Sequence, residues 1–211
     1  MAIRESRSRG KIRRGRDYVE PVHAKGTDMA VVGMACRFPG AGNYAEFWEN
    51  LAQGRSDIRE IPAERWDWKA FRGDPQPDGN ASNCKWGGFI GDVDVFDPSF
   101  FGLSAREAET MDPQQRIMLE LSWSCFEDAG IRPSQVSGEK IGVYIGVFNF
   151  DYKELQEKES RTIETYHSTG TAAAVIPNRI SLYLFGIPDI LLSFQSEVAL
   201  ILLIQKYIPF L

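Results

Sequence analysis

The sequence is poor in the residues that mark metal sites and disulfide frameworks. It holds three cysteines, Cys36, Cys84 and Cys125, among 211 residues. Their number is odd and their spacing fits no metal site. Neither a disulfide set nor a zinc centre is expected, and a reduced, cytoplasmic protein is the simple reading. No serine-nucleophile elbow, phosphate-binding loop or zinc signature is present. Gly33, Gly40 and Gly42 do not fall at Gly-x-Gly-x-x-Gly spacing, and Pro39 interrupts the turn, which excludes a dinucleotide fingerprint. The basic start lacks the apolar run that follows it in a signal peptide. The longest apolar stretch, Val198 to Ile204, is far short of the ~18–20 residues of a membrane span. Positive charge is scarce over most of the chain. The net charge is −5, yet residues 1–16 hold seven Lys or Arg and one Glu, leaving −11 for the rest. An acidic body of this kind gives no reason to expect nucleic-acid binding.

What is present is organised around the stretch from Asp94 to Gly130. Asp112 is a good N-cap, because its carboxylate accepts from the free amides of a first turn. Pro113 follows at the first helical position, where its missing N–H costs nothing. Gln115, three residues after Asp112, completes a capping-box variant. Ile117, Met118, Leu119, Leu121, Trp123, Cys125 and Phe126 then place apolar groups on nearly all sides, the pattern of a buried helix. Gly130 supplies the stop. A central helix over Pro113 to Ala129 is predicted.

Before it, Met29 to Cys36 is a near-continuous apolar run that suits a strand buried on both faces. Arg37 to Gly40 reads as the loop leaving that strand. Ala45 to Gln53 predicts a short helix with Phe47, Trp48 and Leu51 on one face and Gly54 as its stop. Glu60 to Gly91 is loop-rich, with Trp66, Trp68, Phe71, Trp86 and Phe89 interleaved among prolines and glycines. Such rings line a ligand channel or anchor a long surface loop, and anchoring is the favoured reading. After the central helix, Lys140 to Val147 repeats the buried-strand pattern, with Gly142 and Gly146 allowing close backbone approach. Tyr152 to Arg161 reads as a solvated helix or loop. Gly170 to Ile180 reads as a helix that Pro177 kinks or ends.

Candidate chemical groups are few. A reactive cysteine needs an electropositive, accessible setting. Cys125 lies in the buried helix, Cys36 precedes Arg37, and Cys84 lies in a loop beside Lys85. All three are read as structural or incidental. Asp97 and Asp112 can be imagined as paired acids, but each has a local task, one before a proline turn and the other capping a helix.

Five ordered segments carry a family resemblance. They are Val32 to Gly40, Phe47 to Leu51, Phe96-Asp97-Pro98-Ser99-Phe100-Phe101-Gly102-Leu103-Ser104 with Met111-Asp112-Pro113-Gln114-Gln115-Arg116, Gly142 to Gly146, and Pro177-Asn178-Arg179-Ile180-Ser181. Together they resemble the N-terminal half of the β-ketoacyl synthase domain of modular polyketide synthases. The run Val147 to Tyr152 is similar to synthases of the trans-acyltransferase type. The resemblance implies an α/β fold, the N-terminal half of a thiolase-like layered α/β/α/β/α architecture, truncated. It also implies substrates carried on the phosphopantetheine of an acyl carrier protein, and other synthase domains as partners. His167-Ser168-Thr169-Gly170-Thr171 is similar to the family's histidine motif, but it sits directly before Pro177 to Ser181. That position matches the helix preceding the nucleophile, so His167 is read as a helix-start residue.

In the family, Asn-Arg-Ile-Ser leads within a few residues to Asp-Thr-Ala-Cys-Ser-Ser, whose cysteine takes the acyl chain, while two later histidines support decarboxylation and condensation. This chain continues Leu182-Tyr183-Leu184-Phe185-Gly186-Ile187-Pro188-Asp189 and contains none of the three. No catalytic, cofactor-binding or metal-binding residue is therefore assigned, no cofactor is expected on the chain, and the reading is a β-ketoacyl synthase fragment of polyketide biosynthesis, of a family that performs decarboxylative thioester condensation, whose isolated chain is expected to be inactive. Of residues 182–211, twenty are apolar and three are charged. This change of composition predicts a tail read out of frame, or an apolar helix packed on a truncated sheet. The expected organisation is a disordered basic leader or linker at 1–27, a ketosynthase N-terminal region at 28–181 and an atypical tail at 182–211. A non-catalytic partner that docks on a complementary ketosynthase half, or a pseudogene product, is the competing reading.

Overall fold

The computed structural model describes residues 30–139, 141–159 and 165–186. The expectations for the leader, and for the tail from Ile187 onward, lie outside the described residues. The centre of the fold is α3, Pro113–Asp128. Met118, Leu119, Leu121, Cys125 and Phe126 along it are buried, joined by Ile141, Val143, Ile145 and Val147 on one flank and by Ile176, Ile180 and Leu184 on another. The predicted cap is in place, with Asp112 Oδ1 accepting from the Gln114 amide at 2.8 Å. The helix ends one residue earlier than predicted. Gly130 adopts φ +64, and the Ile131 amide donates to Phe126 O at 3.1 Å. This is a Schellman closure, and only a residue without a Cβ makes its left-handed turn without strain.

The first helix, α1, is Tyr44–Ala52. Asn43 caps it by accepting from the Glu46 amide at 3.0 Å, and Glu46 reaches back to the Gly42 amide at 2.8 Å. Its predicted apolar face does not enter the core, and Trp48 and Leu51 are 72% and 56% exposed. Phe38 meets Phe47 with ring centroids 4.4 Å apart. β1, Ile58–Glu60, pairs antiparallel with β2, Trp86–Gly88, so that Ile58 faces Gly88 and Glu60 faces Trp86. Between them Trp68 is buried, whereas Trp66 and Phe71, with Trp86 at the start of β2, are exposed. Anchoring therefore describes Trp68. The Trp66 and Phe71 rings instead stack on each other at 5.3 Å.

α2, Ala105–Thr110, is capped by Ser104, whose side chain accepts from the Glu107 amide at 3.1 Å. α4 is Asp151–Glu159 and carries the charged, solvated character expected of it. The single helix predicted over Gly170 to Ile180 is two, α5 at His167–Thr171 and α6 at Val175–Ile180. The break falls at Ala172, where ψ is 118. Pro177 occupies the first turn of α6, where no intrahelical N–H is required, so it neither kinks nor ends the helix. A π-turn, Ser181–Phe185, continues α6 to Gly186 at φ +67.

Two expectations are corrected. Neither Ala30 to Cys36 nor Ile141 to Val147 forms a strand buried on both faces. Val31, Val32 and Met34 are exposed. Ile141, Val143, Ile145 and Val147 are buried while Tyr144 is exposed, so burial alternates along that segment. The physical reason is that a continuous apolar run calls for cover on both sides, and here α3 covers one side. Gly33 passes so close to α3 that a Cβ there would lie 2.4 Å from Cys125 O. Gly142 lies under the Tyr144 ring, 2.7 Å from the place of its missing Cβ.

Candidate functional site

The stretch that the resemblance sets just before a nucleophile is α5 and α6, and one carbonyl ties α5 to the start of α3. Gly170 O accepts from the Asp112 backbone N–H at 2.9 Å and from Gln115 Nε2 at 2.7 Å. Gln115 Nε2 also donates to Thr169 O at 3.2 Å. Gln115 is 1% exposed, and it does not close the capping box expected of it. Its amide turns away from its own helix end because Gly170 O already satisfies the Asp112 amide. A Cβ on Gly170 would stand 2.3 Å from Thr110 O, so the glycine is what lets α5 reach this corner. Two further bonds hold α4 to the same corner, from Tyr152 Oη to Glu109 O at 2.9 Å and from Gln156 Nε2 to Thr110 O at 3.1 Å.

Below the corner, Arg179 Nη1 donates to Glu107 Oε1 at 2.6 Å, with side chains 7% and 18% exposed. A charge so nearly withdrawn from water needs a partner. Sequence reasoning does not anticipate this pair. The signal available is that Arg179 is the sole Asp, Glu, Lys or Arg from Thr165 to Gly186. Tyr183 lies against the pair, and burial, with the Glu107 charge second, pushes its hydroxyl above the ordinary tyrosine range. The pair and Tyr183 line a cavity of about 390 Å³ together with Tyr166, Thr169 and Asn178.

His167 opens α5, as expected. It lines a separate groove of about 650 Å³ with Lys153, Glu154 and Glu157. The structure does not bring it together with a cysteine. Cys36 borders an apolar cavity of about 510 Å³ with Met34, Phe47, Ile117 and Leu121. Burial and the nearby Glu46 raise its thiol above the ordinary range. Cys84 is exposed and its Sγ lies 3.5 Å from Trp86 O, whereas Cys125 is buried. A thiol reagent applied to the native chain at pH 8 should therefore modify Cys84 first, Cys36 slowly and Cys125 only after unfolding. Equal rates at all three in the folded protein would contradict this order.

Asp97 and Asp112 do not pair. Asp97 Oδ1 accepts from the Phe100 amide at 3.2 Å, closing its own turn. Asp112 caps α3, and desolvation by burial raises its carboxyl above 3.8, against the lowering effect of its bonds to Gln114. A raised folded-state value means the folded chain binds the proton more tightly than the unfolded one. The stabilising contribution is full below pH 3.8 and is lost as pH rises through the folded value. Asp112→Asn keeps a capping oxygen and removes the titrating group. Its unfolding free energy should fall less steeply than that of the parent as pH climbs from the ordinary carboxylate value, which urea titrations at stepped pH will measure. Parallel curves for the two proteins would refute the assignment.

Among the described residues no group of three His, Cys, Asp or Glu is placed to hold a metal ion. Among them, too, no helix is long and apolar enough to cross a membrane.

The described residues form a partial α/β fold of the thiolase-like condensing-enzyme kind. Solved ketosynthase domains share it. The oxazolomycin ketosynthase domain OzmH KS7 of Streptomyces albus superposes with a TM-score of 0.67 at 34% identity, over 80% of this chain and 29% of that one. A ketosynthase from module 6 of the bacillaene synthase of Bacillus subtilis gives 0.67 at 34%, over 80% and 27%. A family model described as the β-ketoacyl synthase N-terminal domain matches residues 27–188. The chain belongs to this family. Polyketide synthase ThaG of Burkholderia thailandensis is 53% identical over 167 residues, 79% of this chain and 3% of that synthase. Polyketide synthase PksN of Bacillus subtilis is 44% identical over 156 residues, 74% of this chain and 3% of that synthase. The chain thus spans a small fraction of the synthases and under a third of the solved ketosynthase domains it matches.

Proposed function

We propose that this chain is the N-terminal part of a polyketide-synthase ketosynthase domain and works as its frame, not as its nucleophile. The whole-domain reaction is decarboxylative condensation. A cysteine thiolate takes the growing acyl chain from a phosphopantetheine thioester. The extender thioester loses carbon dioxide, and its carbanion attacks the acyl carbonyl, forming the carbon–carbon bond and releasing the cysteine thiolate. Acyl carrier protein and neighbouring synthase domains are the partners, the cytoplasm is the compartment, and this stretch binds no cofactor of its own. The observation that carries the reading is the Gly170 carbonyl held by Asp112 and Gln115. It fixes the first of the two helices after which the family places its nucleophile. In this reading Cys36, Cys84, Cys125 and His167 take no part in the chemistry.

A second reading, a non-catalytic partner that seats on a complementary ketosynthase half, draws support from the exposed Val31, Val32, Met34, Tyr144 and Phe148. One experiment serves both. The chain is assayed for condensation of acyl and malonyl groups on carrier protein, alone and co-expressed with a separate polypeptide bearing the remaining ketosynthase segments. The expected result is no turnover alone, and turnover with the second polypeptide that disappears when the cysteine of that polypeptide is replaced. Turnover by the chain alone would overturn the frame reading. A stable complex with no turnover would favour the docking reading over it.

A further inference from the structure

The excursion between β1 and β2 carries a feature that condensation chemistry does not use. Lys85 Nζ lies 5.3 Å from the Trp68 ring centroid and 4.9 Å from that of Trp86. Lys69 Nζ and the Arg72 guanidinium approach Trp68 at 5.9 and 6.0 Å. Three cations thus converge on one buried ring, while Trp66, Phe71 and Trp86 stand exposed around it. Three carboxylates of the segment are turned to their own backbone, and Glu64 lies exposed beside them. Asp67 Oδ1 accepts from the Lys69 amide, Asp74 Oδ1 from the Gln76 amide and Asp78 Oδ1 from the Asn80 amide, each closing a turn. Glu60 stands among the cations, bonded to Lys85 Nζ at 2.5 Å. That bond holds its carboxyl below the usual range, and the charges of Lys85, Lys69 and Arg72 add to it. Lys69 and Arg72 are exposed and make no ion pair with a carboxylate among the described residues.

We propose that Lys69, Arg72, Lys85 and the exposed rings of Trp66, Phe71 and Trp86 form a docking face for a carboxylate-rich segment of a partner protein. The argument is charge complementarity. Cations seated against aromatic rings recognise carboxylates, while the ring faces bury the apolar side chains between them. A phosphate backbone fits less well, because it calls for a longer run of cations than the three gathered here, one of which already faces Glu60. The inference stands apart from the ketosynthase reading, since it concerns a face on the excursion and no reacting group.

The test is fluorescence anisotropy with the full chain and a labelled peptide of alternating glutamate and leucine. A lysine–leucine peptide and an oligothymidylate serve as comparisons. At about 50 mM salt the glutamate peptide should bind, and binding should weaken as salt is raised. The double variant Lys69→Glu/Arg72→Glu should weaken it at least about tenfold, and the exposed single variant Lys69→Ala about threefold. Lys153→Glu on α4, remote in sequence, should leave it within about twofold. Thermal melting confirms that each variant is folded. No glutamate-peptide binding at low salt, equal affinity in folded Lys69 and Arg72 variants, or tighter binding of the oligothymidylate would each overturn the proposal.

Discussion

Gly170→Val should be the most damaging single substitution at this site, lowering unfolding free energy by about 3 kcal/mol, the upper end for overpacking a core. The reason lies in what the new Cβ meets. It would sit 2.3 Å from Thr110 O and 2.8 Å from Thr110 C, and backbone at the end of α2 cannot swing aside as a side-chain tip does. Relief requires α5 to withdraw. Withdrawal breaks the bonds that Gly170 O receives from Asp112 N and Gln115 Nε2, leaving a buried amide without its acceptor. Thr169→Ala, one residue earlier at an exposed position, should cost well under about 1 kcal/mol. Urea midpoints for the two variants separate these outcomes. Similar midpoints would mean that α5 does not pack on Thr110 in solution.

Glu107→Ala should be nearly as severe. It strands the Arg179 guanidinium, 7% exposed, without its 2.6 Å partner. Removing one member of such a buried pair costs about 3–5 kcal/mol, and the partial exposure of Glu107 sets the expectation near the lower figure. The sharper test is the double variant Glu107→Leu/Arg179→Met. With both charges gone, no ion is left desolvated, and stability should return to within about 1 kcal/mol of the parent. A double variant as unstable as Glu107→Ala would show that packing of the side chains, not the unpaired charge, is what the single variant loses.

Much of the central architecture is legible in the sequence because its causes are local. Asp112 caps the helix two residues on, Pro113 suits the first turn, and Gly130 closes the last. A carboxylate, a ring and a missing Cβ each act within a few residues of themselves. The same locality misleads at Gln115. A capping box is a local alternative that loses to three carbonyls at 169, 170 and 172, about fifty-five residues away, and no short-range pattern contains that choice. The two apolar runs suggest strands because both of their faces are apolar, but a strand is defined by its neighbour. Along Ile141 to Val147, α3 supplies cover for one face only. The break at Ala172 is invisible for the opposite reason, because three consecutive alanines favour helix everywhere and mark no boundary. At the candidate site, Asp112 caps α3 as its local sequence suggests. The Glu107–Arg179 pair escapes sequence reasoning because its two members are 72 residues apart.

That long reach also sets a schedule. The carbonyl that serves the start of α3 belongs to a residue 55 positions later. At a synthesis rate of roughly 5–20 residues per second, it emerges from the ribosome about 3–11 s after the helix that needs it. During that interval the apolar sides of α3 gain the Ile141–Val147 segment but not yet α6, and the Gln115 amide has only water. The corner where α5 meets α3 therefore closes only after Gly170 has been made. It waits for Gly170, and a pause or a chaperone stationed before that codon would change the yield of folded protein without touching any contact in the finished one.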